Sequence, residues 1–307
     1  MLSRYRHGRH DPTTWLRTHG RGTTASGHFV RATHTPLGPA TLSIRWSPQE
    51  VARVGTGIDV DAWGPGASWL LERVGRWLGD DDVGAPELEH AEHPVVAAAA
   101  RERRHGRLAA SGALFHELLP TILQQRSTAV EAKHQWKLLC HRLGEPAPGP
   151  FRGLLLPPSP ASLHRRPSLW FHPLGSERAR AEPLVAVARH ADKLWAWAEL
   201  APGEAGRRLR MLPRIGVWTT GCVLGPALGD PDAVPVGDFH VKNIIAWNLA
   251  GEARGTDERM LELLEPYAGQ RGRVVAAVCS VGPGAPNLVK RQRIVTMERM
   301  SSQQDLH

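Results

Sequence analysis

The chain has 307 residues, with 41% apolar and 22% charged side chains. That is the profile of a globular protein large enough for two or three small domains. A net charge of +8 at pH 7 suits a polyanionic partner such as DNA, although only five of the 38 basic residues are lysine, so the arginines also fit the usage of a GC-rich genome. No run of about 18 apolar residues exists to cross a membrane, and the charged start MLSRYRHGRHDPTTW has no apolar stretch behind it, so neither a membrane span nor a signal peptide is predicted and the expected location is the cytoplasm.

Residues 1–25 are polar, rich in Arg and His, and predicted to be loose. Residues 26–84 read as a small α/β domain. His28–Thr33, Ala40–Trp46 and Gly57–Trp63 have strand-like alternation with Gly and Pro between them. Gly66–Gly79 reads as one helix with Leu70, Val74, Trp77 and Leu78 on a single face. From residue 85 the pattern is helical: His93–Arg104, Ala113–Gln124, then a helix opened by Thr128 and Glu131 as a capping box and closed at Gly144. A Pro-rich stretch from Glu145 to Pro167 is predicted to be an ordered loop. Helices follow at Pro183–Leu200, Glu204–Met211, Val217–Leu228, Val241–Ala250, Asp257–Leu264 and Arg271–Val281, with a basic tail over 283–307.

The cysteines, Cys140, Cys222 and Cys279, are far apart, and the 16 histidines make no HExxH or comparable cluster. Neither a zinc site nor an iron–sulfur cluster is predicted, and no cofactor is expected.

Two segments hold the chemistry. Leu209–Gly221 reads as helix, short turn and helix, with Leu212, Pro213, Arg214, Ile215 and Gly216 between. The start of such a second helix offers unpaired backbone N–H groups and a partial positive charge to a DNA phosphate. About twenty residues on, Asp232–His240 is an apolar loop with Pro235 and Gly237 that delivers Asp238 to the start of a helix. Alone, the turn is equally an ordinary helix connection, and Asp238 more often an N-cap than a catalyst; their spacing together favours function.

LPRIG–VWTTG followed by VPVGDFHVKN resembles the signature of the helix-hairpin-helix/Gly-Pro-Asp DNA glycosylases, nearest the 3-methyladenine DNA glycosylase II branch. Weaker matches fall in the right order: Leu114–Ser127 with its IL-x-Q turn, Gly175–Ala181, and Glu265–Tyr267 with Arg271–Arg273. The resemblance covers roughly residues 85–282, with the hairpin at 204–228. It implies a mainly α fold, a two-part helical body with a DNA cleft, beside the small N-terminal α/β domain. It implies a monomer acting on double-stranded DNA, flipping a base out of the helix and hydrolysing its N-glycosidic bond without metal.

By the same resemblance, Asp238 is the catalytic carboxylate, and Trp218, Cys222, Phe239 and His172 line the base pocket. Leu212, Pro213, Arg214, Gly216, Thr219, Gln125, Arg126 and Lys242 contact DNA, with Gln125 or Arg126 filling the gap left by the flipped base. Trp218 occupies the position where lyase-competent relatives have a lysine, so an intact abasic product is expected. Two departures stand out. Arg214 replaces the hairpin's first glycine, so the turn is either reshaped or tolerant of a side chain. Cys222 replaces an aromatic that helps sandwich alkylated purines, which enlarges the pocket and opens an alternative: a bulky hypermodified base, such as a modified cytosine of phage DNA, removed in anti-phage defence. A helix-hairpin-helix protein that binds DNA without turnover is the other alternative.

Overall fold

The computed structural model describes residues 1–20, 25–47, 57–103, 106–176 and 178–286. Four strands, β1 (Thr14–His19), β2 (Ser26–Thr35), β3 (Gly38–Trp46) and β4 (Ile58–Trp63), form an antiparallel meander in the order β1-β2-β3-β4. The β2–β3 hairpin pairs Thr35 with Gly38 and Gly27 with Trp46. Inward positions of β2 and β3, among them Phe29, Leu42 and Ile44, pack on α1 (Ala67–Glu72) and α2 (Val74–Leu78) through Trp69, Leu70 and Trp77.

The rest of the described chain is helical: α3 (Pro94–Glu102), α4 (Leu114–Gln124), α5 (Ala129–Leu143), α6 (Pro160–Leu163), α7 (Arg178–Arg189), α8 (Ala191–Trp197), α9 (Pro202–Leu209), α10 (Val217–Leu228), α11 (Val241–Ala250), α12 (Asp257–Leu264) and α13 (Arg271–Val281). These helices have two cores. One gathers side chains of α4 to α10, with Phe115, Leu118, Ile122, Trp136, Leu184 and Val223 buried. The other gathers α3 and α11 to α13 around Val96, Ile245, Met260, Leu264, Val274 and Val278. The 229–240 connection crosses between them: Ala233 packs on the first core and Val234 lies in the second. This is the mainly α, two-part body with an N-terminal sheet that the sequence implied. No helix among the described residues is long and apolar enough to cross a membrane.

Several expectations are corrected. The first twenty residues are folded rather than loose. Leu2–Tyr5 forms a 3-10 turn whose Tyr5 ring is fully buried 4.8 Å from Trp77. Asp11 is buried and accepts hydrogen bonds from Thr13 N (2.9 Å) and Trp136 Nε1 (3.1 Å). The single helix expected over Gly66–Gly79 breaks at Arg73, whose guanidinium lies 4.3 Å over Trp69 and donates to Glu199 at 3.2 Å; the break lets Trp69, Leu70 and Trp77 all face the sheet. The helix expected from Pro183 begins at Arg178, with Pro183 inside it. A proline costs the i−4 bond at its own position, and here the earlier start brings Arg180 and Glu182 towards the hairpin.

The capping box forms as expected: Thr128 Oγ1 accepts from Glu131 N, and Thr128 N donates to Glu131 Oε2 at 3.0 Å. That hydrogen bond holds the Glu131 carboxyl below the usual carboxylate range. Gly144 caps α5 with an extended φ of −77°. It is required for closeness, since a Cβ would stand 2.4 Å from the carbonyl oxygens of Cys140 and Leu156. The Pro-rich loop is ordered: Leu155 N donates to Pro12 O, and Phe151 packs edge-on against Trp15 and Trp63 on the outer face of the sheet.

Candidate active site

The α9–α10 hairpin is anchored from beneath by Leu212 and Ile215, both in the larger core, while Pro213, Arg214 and Gly216 are exposed. Arg214 has φ 60°, so the turn keeps the left-handed residue that a glycine would supply. The turn is therefore tolerant rather than reshaped. Two bonds hold this conformation: Arg214 Nε donates to Glu182 Oε2 at 2.8 Å, and Arg214 O accepts from Gln125 Nε2 at 3.1 Å. Hydrogen bonds from Arg178 and Arg214 keep Glu182 below the usual carboxylate range. Gly216 begins α10 with no side-chain cap, and a Cβ on it would meet open space. The first amides of α10 thus have no partner from a capping side chain.

Asp238 sits two residues before the α11 cap, His240. Its Oδ1 accepts from His240 N (2.8 Å) and Val241 N (3.0 Å), the first amides of that helix. Its Oδ2 accepts from Trp218 Nε1 at 3.2 Å. Oδ1 is thereby saturated, and Oδ2 keeps a lone pair for another group. The loop behind it is closely determined. Gly237 has φ 94°, its N–H donates to Asp257 Oδ1 at 2.8 Å, and Asp238 N donates to Pro235 O at 3.0 Å. Gly221 of α10 touches the same loop, since a Cβ there would stand 2.1 Å from Val234 O. At the loop's start, Arg271 of α13 grips Asp232 with Nε at 2.9 and 3.0 Å from the two carboxylate oxygens. This pairing holds Asp232 below the usual carboxylate range despite partial burial. Cys222, one turn beyond Trp218, is half-buried; burial, with the Asp238 charge adding, pushes its thiol up to about 12. It is a small neutral wall.

Trp218, Cys222 and Asp238 are thus brought together. Phe239 is 57% exposed and meets His240 edge-on, at the rim of that group. His172 lies exposed on the 3-10 turn Ser168–Leu174, without a hydrogen bond to Trp218, Cys222 or Asp238 among the described residues, while its neighbour Phe171 is core.

Among the residues expected to contact DNA, three have side chains engaged within the fold. Leu212 and Thr219 have buried side chains: Leu212 anchors the turn, and Thr219 Oγ1 accepts from Gln125 Nε2 at 2.9 Å, so each has only backbone to offer. Lys242 Nζ is engaged by Asp257 at 3.1 Å. Gln125 spans to the hairpin, and Arg126 is exposed with φ 50°. Sequence reasoning missed Gly221, Asp257, Arg180 and Glu182. The Asp257 position carried a signal as the first residue of a predicted helix; the other three act on segments distant in sequence.

The chain's fold is a mainly helical two-part body beside a small antiparallel sheet. Solved structures share it. The 3-methyladenine DNA glycosylase from Archaeoglobus fulgidus superposes with a TM-score of 0.64 at 19% identity, over 82% of this chain and 85% of that one. The Clostridium acetobutylicum 8-oxoguanine glycosylase/lyase, solved with double-stranded DNA containing cytosine opposite 8-oxoguanine, superposes with a TM-score of 0.58 at 13% identity, over 87% and 97%. No protein-family model matches the chain, and no curated protein matches it in sequence.

Proposed function

We propose that the protein is a DNA glycosylase, with Asp238 as its catalytic residue and an abasic site as its product. The contact between Trp218 and Asp238 carries this reading, because it joins the hairpin's second helix to the acidic loop where the two helical cores meet. In this reading the uncapped amides at the start of α10 hold a DNA phosphate. The target nucleotide leaves the stack and its base lies against the Trp218 indole. Cleavage breaks the bond between C1′ and the base nitrogen, and the electron pair leaves with the base. The sugar gains oxocarbenium character, which the Asp238 carboxylate opposes at short range. Oδ2, with its remaining lone pair, orients the water that adds to C1′ and takes up its proton.

Trp218 has no amine to form a Schiff base, and the Lys242 ammonium is held by Asp257. The proposed reaction therefore ends at hydrolysis, and borohydride should trap no covalent complex with DNA. The substrate suggested by resemblance is an alkylated purine. Cys222 favours a second reading, because a thiol where an aromatic would stack leaves room for a bulkier base such as a modified cytosine.

The test is incubation of the protein and of Asp238→Asn with duplexes bearing methylated purines or bulky modified cytosines, followed by hot alkali, which cuts at abasic sites. Cuts that disappear with Asp238→Asn establish the activity and name the base. Tight duplex binding with no cut on any substrate, phage DNA with modified bases included, would leave a non-catalytic DNA-binding protein.

A further inference from the structure

We propose that Asp257 is a positioning residue for Asp238: it holds the loop that carries the catalytic carboxylate through the Gly237 amide, without touching the reacting atoms itself. The inference rests on the glycosylase reading above and concerns how that site fixes its carboxylate.

Asp238 is bracketed by two ties from its own backbone neighbours to the α11–α12 region. Before it, Gly237 N donates to Asp257 Oδ1 at 2.8 Å. After it, Phe239 O accepts from Asn243 Nδ2 at 2.7 Å, and Asn243 Oδ1 accepts from Gly255 N at 3.0 Å. The buried Asn243 side chain therefore links residue 239 to residue 255. The connection between the two helices lies close on α11, since a Cβ on Gly255 would stand 2.7 Å from Lys242 O and from Ala246 Cβ. Asp257 is itself well fixed. It is the first residue of α12, whose cap Thr256 accepts from Arg259 N at 3.1 Å, and its Oδ2 accepts from Lys242 Nζ at 3.1 Å.

The bonds that Asp238 makes itself orient its carboxylate towards α10 and the start of α11, through Trp218 Nε1, His240 N and Val241 N. They do not fix the chain that leads into it. Asp238 N donates only within its own loop, to Pro235 O. Gly237 has φ 94° and, lacking a Cβ, has many other conformations open to it. Its N–H is the point where a neighbouring element can hold the loop, and the Asp257 carboxylate takes it. A charged acceptor makes the stronger bond. Lys242 offsets the negative charge that Asp257 brings towards Asp238. Asp257 thus fixes the approach to Asp238, and Asn243 fixes the exit from it.

The test uses the full-length protein, Asp257→Ala and Asp257→Asn. Three quantities are read: single-turnover cutting of whichever methylated-purine or modified-cytosine duplex the native protein cuts, binding to the same duplex without the lesion by fluorescence anisotropy, and hydrogen–deuterium exchange over residues 234–241. Asp257→Ala frees the Gly237 amide. A shift of the reacting group by about 1 Å lowers rate by about 10²-fold, so cutting should slow by that order while duplex binding stays within about twofold, and exchange over 234–241 should quicken. Asp257→Asn keeps an oxygen for Gly237 N–H but loses the ion pair with Lys242, and should recover most of the rate and the slow exchange. Native-rate cutting by Asp257→Ala overturns the proposal. So does an Asp257→Asn as slow as Asp257→Ala, because the ion pair would then be what matters, and so does a parallel loss of cutting and binding, which would place Asp257 in the DNA surface. If the native protein cuts no duplex, the glycosylase reading fails by itself, and the exchange comparison still decides whether Asp257 holds the loop: unchanged exchange in Asp257→Ala removes the anchor.

Discussion

At the seam between the sheet and the helical body, charge is buried and paired. Arg31 is fully buried on β2, with Nη2 2.7 Å from Glu117 Oε1 on α4 and Nη1 2.7 Å from Tyr5 O; Ser111 Oγ donates a second bond to Glu117 at 3.0 Å. Beside it, His116 hydrogen-bonds with Thr33 Oγ1 at 3.0 Å. On the face that carries Asp238, charged side chains lie at the surface, two arginines hold positive φ, and α10 starts without a side-chain cap. One region spends its polar groups on joining two parts of the chain. The other keeps part of its bonding capacity unspent, which is what a surface for another molecule requires. The difference separates the consequences of mutation: damage at the seam should appear as stability, and damage at the Asp238 face as activity.

The largest effect is expected at the seam. Glu117→Ala leaves Arg31 buried without its partner, and breaking one half of such a pair costs about 3–5 kcal/mol. The urea midpoint should fall accordingly, while the proposed base excision per folded molecule stays near native. The pair replaced by Arg31→Met with Glu117→Leu should lose much less, since no charge is left stranded. A single mutant within about 1 kcal/mol of native, inside the range of a surface pair, would show that the seam does not depend on this pair.

Gly221→Ala sharpens the comparison, because it belongs to the Asp238 face yet is buried against backbone. Its new Cβ would meet Val234 O at 2.1 Å, so the loop carrying Asp238 must move. Overpacking of this kind costs about 1–3 kcal/mol, and a displacement near 1 Å at the reacting group lowers rate by about 10²-fold. Single-turnover excision should therefore fall much further than the melting temperature suggests. A variant that loses stability but keeps its rate would mean that the α10 contact does not set the position of Asp238.

What could be read ahead of the structure follows the same division. Helices with an unbroken apolar period and local caps, such as Val217–Leu228, Val241–Ala250 and Asp257–Leu264, are where the pattern placed them, because neighbours three and four residues away decide them. Trp218 and Asp238 were visible as a spacing within one motif. The folded N-terminus was not, because Tyr5 and Asp11 are ordered by Trp77 and by Trp136, partners distant in sequence. Nor was the fate of Lys242, Thr219 and Leu212. Their residue types suit DNA, but an acid on α12, an amide at the end of α4 and the core beneath the turn claim their side chains. Arg214 shows the limit of the glycine rule: the left-handed turn survives a side chain because Glu182 and Gln125 hold it.

The smallest effect per group, and the one that separates the two regions by pH alone, comes from the seam histidines. Burial, with the nearby Arg31 charge adding, holds His116 well below its ordinary value, and burial also lowers His7, against the opposing charges of Asp11 and Glu117. Above pH 6.5 these rings are neutral whether the chain is folded or unfolded, so their contribution is constant. Below it the unfolded chain takes up protons that the folded one refuses, and stability falls by up to about 1.4 kcal/mol per pH unit for each ring. Urea midpoints should therefore drop between pH 7.5 and 5.5, with the slope reduced by one ring's share in His116→Gln. The prediction fails if that substitution leaves the slope unchanged, because the seam would then accept a proton without cost and would no longer differ in kind from the exposed face.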